Sequence, residues 1–285
     1  MHAVRDSLFR VLSEAIADMQ EYGYDAKWRL DMWMERIAAA IQSSLPSSES
    51  LNEDLRQTLR AVFERATGSK KIFKLHRGVG RYTLEQVKPK LRAELDRRIL
   101  ASAQLIKLNR EESIAKTLRR FSGWATSIPA GGSDVSSRLK VRKSLRKSLA
   151  GMPFEERRVV IDQGHKLSAA VSDIIATDGG AIATIWRSHW REIGYDYRPS
   201  HKARDGKVYL IRDSWAHREG YVKPAAHSYT DEITQPAEEP FCRCYVTYLY
   251  SLGELPTEML TDRGRKKLES VRSQMAQFNQ IGVAG

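Results

Sequence analysis

The chain is poor in cysteine: two thiols in 285 residues, both in the run Cys242-Arg243-Cys244. One intervening residue makes a disulfide strained, and two cysteines cannot staple a chain of this size. A disulfide-dense secreted scaffold is therefore excluded, and thiols or metal thiolates are expected. Glycine and proline are too sparse for a collagen-like or low-complexity chain. No apolar run approaches the roughly 20 residues that cross a bilayer. The stretch from Met1 to Gln20 carries Arg5, Asp6, Arg10, Glu14 and Asp18, so it lacks the uninterrupted apolar centre of a signal peptide. These gaps predict a protein folded in a cytoplasm, with no membrane span.

What is present is a foldable composition, 41% hydrophobic and 29% charged, with a charge that is unevenly spread. The net of +12 does not describe any one part of the chain. Residues 1–65 sum to −3, residues 66–150 to +15, and residues 151–285 to zero. A basic middle segment of this kind attracts polyanions. Its densest part is Arg138, Lys140, Arg142, Lys143, Arg146 and Lys147. On a helix, Arg138, Arg142 and Arg146 form one ridge with Lys143 and Lys147 beside it, while Leu145 and Leu149 lie elsewhere on the surface. That spacing suits non-specific contact with the phosphates of double-stranded DNA, which needs no base-reading geometry. An ordinary solvated helix face is the competing reading.

Apolar periodicity predicts a mainly helical α+β protein: long N-terminal helices, then a small C-terminal α+β module and a final helix. In residues 3–42, Leu30, Trp33, Met34, Ile37 and Ile41 follow a helical stripe that Trp28 and Met32 widen. Ser43 to Ser50, with Pro46, ends it. These helices make up an N-terminal region, 1–66. A basic helical region, 67–150, follows. Thr83 and Gln86 form a capping box at its helix start, Asn109 and Glu112 restart the helix, and residues 128–137 read as a loop. A long helix is expected over 151–191, bent or interrupted at Gly179-Gly180, with His189 at a core edge. The module then occupies 192–256. Its candidate strands are Tyr195–Arg198, Lys207–Ile211 and Cys242–Tyr250. Residues 257–285 hold the last helix and a tail.

The chemistry concentrates in this module. On a strand, Cys242 and Cys244 point to one face, so both reach a single soft metal ion such as zinc. His201 supplies a third donor, and Asp205, His217 or His227 a fourth. The alternative has His201 and Asp205 hydrogen-bonding within a tight turn before Gly206, with the thiols packed as small apolar groups.

The set Arg198-x-x-His201, Asp205-Gly206 and Cys242-Arg243-Cys244 resembles the phage head morphogenesis family, the minor head proteins similar to the F protein of phage Mu. Phe241 stands where many members carry Asn. The likeness covers roughly residues 95–255. It implies a minor head protein of a tailed bacteriophage, acting in capsid assembly at or near the portal on the inner capsid side. Its partners would be the portal protein and capsid or scaffold components. It would lie in the host cytoplasm during assembly and then in the virion interior, contacting DNA or being ejected with it. A metal-dependent nuclease or toxin-like transferase centred on His201 is the alternative. The scattered carboxylates give no convergent set for such an enzyme, and no catalytic residue is assigned.

Overall fold

The computed structural model describes residues 2–68, 72, 74–76, 79–133, 137–223 and 229–281. The chain divides into two compact units, residues 1–57 with 99–161 and residues 58–98 with 162–285. The architecture is mainly helical with a small antiparallel sheet near the C-terminus and a final helix, as the apolar periodicity predicts. No described helix is long and apolar enough to cross a membrane.

The first unit is built on α1 (His2–Tyr22), α2 (Lys27–Ser44) and α5 (Arg138–Ala150), with parts of α3 (Ser48–Thr67), α4 (Arg81–Ala125) and α6 (Met152–Asp178). Leu12, Ile16 and Met19 of α1 meet Leu30, Trp33, Ile37 and Ile41 of α2 in its core, joined by Phe121, Ala125 and Leu145. Helical spacing places these side chains on single stripes, so burying one stripe against another removes them all from water. Trp33 also donates from Nε1 to Asp18 Oδ2 at 2.6 Å, which satisfies its polar edge. Trp28 does not widen this stripe: it is 61% exposed, in the first turn of α2, with Arg29 over its ring. Leu145 is buried rather than superficial, because α5 lies on α1 and turns that residue into the core. Helix α4 begins at Arg81 and runs unbroken through Asn109, so neither Thr83 nor Asn109 caps a helix. Asn costs only a few tenths of a kcal/mol inside a helix, which the neighbouring apolar contacts override.

The second unit carries a three-stranded antiparallel sheet, β1 (Ala183–Arg187), β2 (Val208–Leu210) and β3 (Tyr245–Leu249), in the order β2-β1-β3. Ala183 stands opposite Leu210 on one side and Leu249 on the other. Around Ile182, Ala183, Leu210 and Leu249 pack Ala216, Val222, Leu252, Met259 and Leu260. Trp186, Tyr209, Cys242 and Cys244 form a separate cluster. The last helix, α9, spans Asp262–Ile281.

The expected helix over 151–191 stops at Asp178. Gly180, at φ +82°, ends it: its N–H donates to Thr177 O at 3.2 Å and that of Ala181 to Ala176 O at 2.9 Å. Only a glycine adopts this left-handed cap without cost. The β-branched residues that follow enter the centre of the sheet, so Ile185, Trp186 and their neighbours are strand rather than helix. The module therefore starts before residue 192. Residues 195–198 form no strand, and β3 begins at Tyr245 rather than Cys242.

Candidate metal centre

Two short elements bring the module's donors together. The first is α7 (Pro199–Ala203), with Arg198 at its N-cap and Pro199 at its first position. Proline presets the helical φ and lacks only an N–H that would have no helical partner there. One turn on, His201 is 1% exposed. The second is the turn before β3. Phe241 there has a left-handed backbone, φ +60°, and its N–H donates to Asp162 Oδ1 at 2.6 Å. This turn directs Cys242 and Cys244, 1% and 4% exposed, at the imidazole of His201. The two sulfurs thus share a direction, as expected, through a turn and not along a strand.

His201 Nδ1 lies 3.5 Å from Cys242 Sγ and 3.5 Å from Cys244 Sγ. The three donor atoms fall within 4.8 Å of one another. Zinc bonds of about 2.3 Å to sulfur and about 2.05 Å to nitrogen, at a tetrahedral angle, separate S and N by about 3.6 Å. The observed spacing therefore fits a tetrahedral ion with these three residues as ligands. Hydrogen bonding between the thiols raises the Cys242 pKa and lowers that of Cys244, while burial raises both. A soft ion binds the thiolate form, so metal binding here releases the thiol protons.

The surroundings orient the imidazole. The edge of Trp186 meets the His201 ring at 5.3 Å and 71°. His201 Nε2 makes no hydrogen bond of good geometry, and Glu239 Oε1 faces it at 3.4 Å. Glu239 is in turn paired with Arg198 Nε, while the Arg198 guanidinium donates to Pro240 O at 2.9 Å. Cys242 and Cys244 also form part of the wall of a cleft of about 620 Å³, with His165, Arg243, Tyr245 and Tyr248.

Neither a family model, nor a curated protein, nor a solved structure matches this chain. Arg198, His201, Cys242 and Cys244 converge. Asp205 does not join the donor set. Its Oδ1 accepts from the Ser188 N–H and its Oδ2 from Trp190 Nε1, both at 2.9 Å, and those bonds lower its pKa, the Ser188 bond most. It pins residues 188–190 instead. Gly206, at φ +77°, returns the chain toward β2, donating to Trp186 O at 2.9 Å. The N–H of Arg243 donates to Tyr195 Oη at 3.1 Å, and its guanidinium lies over the Tyr195 ring. His217 sits on α8 (Trp215–Arg218), edge-on to Tyr229 and outside the donor cluster. His227 lies outside the described residues. His189 is also outside the cluster, with Nδ1 3.2 Å from Glu192.

The six candidate DNA-binding cations divide in two. Arg142 is half-buried: its guanidinium lies 4.0 Å from the Phe9 ring centre and donates to Ser13 Oγ at 3.2 Å. Arg138 donates to Gln20 Oε1 at 2.7 Å. Both attach α5 to α1. Lys140, Lys143, Arg146 and Lys147 are exposed. Among the residues that sequence reasoning passed over, Glu239 matters most. Its available signal was position, an acid three residues before Cys242.

Proposed function

We propose that the chain is a minor head protein of a tailed bacteriophage, acting in capsid assembly at or near the portal on the inner capsid side, and that zinc on His201, Cys242 and Cys244 closes its C-terminal module. The observation that supports this reading is convergence. Pieces of the motif more than 40 residues apart in sequence meet at one buried point, so they act as a single structural unit. Two thiols and an imidazole favour zinc over calcium or magnesium, which take oxygen ligands. The ion would cross-link α7 to the turn before β3, a stabilising role for a centre whose histidine is 1% exposed.

On this reading the partners are the portal protein and capsid or scaffold components. Lys140, Lys143, Arg146 and Lys147 neutralise phosphates of packaged double-stranded DNA. The protein passes from the host cytoplasm to the virion interior. Two measurements test it: quantitative mass spectrometry of purified procapsids and virions, and metal analysis of the chain purified without chelator. The expected results are a few copies per particle and about one zinc per chain. Absence from both particle forms overturns the head-protein reading, and a zinc-free chain overturns the metal.

A further inference from the structure

We infer that Glu239 is a positioning residue for the metal centre, receiving the Nε2–H of His201 and thereby fixing Nδ1 as the donor to the metal. This inference rests on the zinc reading and adds to it a residue outside the Arg-x-x-His, Asp-Gly and Cys-Arg-Cys pieces. A neutral imidazole carries its proton on one nitrogen, and the other must face the metal. Nδ1 faces both sulfurs at 3.5 Å. Nε2 is buried, makes no well-formed hydrogen bond, and has Glu239 Oε1 at 3.4 Å. The opposite tautomer would set an Nε2 lone pair against the Glu239 carboxylate and would put a proton on Nδ1, leaving that nitrogen no lone pair for the metal.

The carboxylate is itself held. Arg198 pairs with its other oxygen and donates to the carbonyl of Pro240. Arg198 and His201 are one turn apart, the His201 N–H donating to Arg198 O at 3.0 Å. A five-residue helix and its N-cap therefore carry both the ligand and the cation that aims the ligand's carboxylate. Asp205 cannot take this role, because both its oxygens are engaged at Ser188 and Trp190. Such outer carboxylates orient a metal-bound histidine and raise its basicity, and removing one typically costs about 10–100-fold in metal affinity.

The test uses the full chain loaded with zinc. Affinity is read by competition with a chromophoric chelator, and the His201 tautomer by long-range ¹H–¹⁵N correlation of the ring. Glu239→Ala should weaken zinc binding about 10–100-fold. Glu239→Gln, whose amide oxygen still accepts the Nε2–H, should recover part of the loss. Glu258→Ala, which removes an exposed carboxylate elsewhere, should change nothing. The zinc-loaded wild type should show the proton on Nε2. Wild-type affinity in Glu239→Ala, or a proton on Nδ1, overturns the inference and leaves the zinc reading standing. A wild type that binds no zinc overturns both. Should Glu239→Ala fail to fold, the tautomer and the Glu239→Gln affinity still decide.

Discussion

Replacing Phe241 should invert the order that hydrophobicity alone would give. Its backbone is left-handed, φ +60°. That conformation costs an ordinary L-residue roughly 1–2 kcal/mol, and Asn pays less because its short polar side chain bonds locally. The ring is 44% exposed, so about half of a phenylalanine's burial, roughly 1 kcal/mol, is at stake. For Phe241→Asn the relief of strain and the lost burial nearly cancel, and the net change should be under about 1 kcal/mol. Phe241→Val keeps an apolar side chain but forces a β-branched residue into the same region. It should destabilise the turn by roughly 1–3 kcal/mol. Hydrogen exchange across residues 237–249 reads this directly, since about 1.4 kcal/mol is a tenfold change in exchange. Val should exchange about tenfold or more faster than Asn. Equal or better protection in the Val variant would refute the strain argument, and with it the account of how the turn aims Cys242.

Other outcomes follow from the same geometry. Arg142→Ala should destabilise the first unit by about 1 kcal/mol, because its guanidinium no longer covers Phe9, while Lys143→Ala should stay within about 0.5 kcal/mol; thermal melts of the two variants compare them. Replacing Lys140, Lys143, Arg146 and Lys147 with Gln should flatten the salt dependence of DNA binding by up to about 3.6 in log–log slope, about 0.9 for each phosphate that is no longer neutralised, and an unchanged slope would remove α5 from the DNA reading. His76 is 2% exposed, with Nδ1 2.7 Å from Tyr250 Oη, and burial lowers its pKa to about 4. Because the unfolded chain then binds the extra proton, its stabilising contribution is complete above about pH 6.5 and is lost as pH falls toward 4, with a slope approaching about 1.4 kcal/mol per pH unit. Urea titrations at several pH values should show a smaller slope in His76→Gln than in the wild type, the remainder including His165, whose pKa burial also lowers.

Much of this molecule follows from local sequence. The stripe of Leu30, Trp33, Ile37 and Ile41 makes a helix with a buried face, and a helix needs only neighbours three and four residues away to declare itself. His201, Cys242 and Cys244 can be named as a set because their residue types limit them to few chemistries, whereas Arg198 joins them only through the family resemblance. What local order does not contain is their separation in space. The apolar run after Gly180 suits a helix as well as a strand, and only pairing with β2 and β3 on both sides makes it the centre of a sheet. Leu145 is core, and Arg142 a docking residue, because α1 lies against α5. Asp205 has the right chemistry for a ligand but spends both oxygens on residues 188–190. Glu239 looks in sequence like one loop acid among several, and becomes the partner of His201 when a distant turn brings it to α7. Residue type decides which chemistry a side chain can perform; the fold decides which partners are close enough for it to be performed.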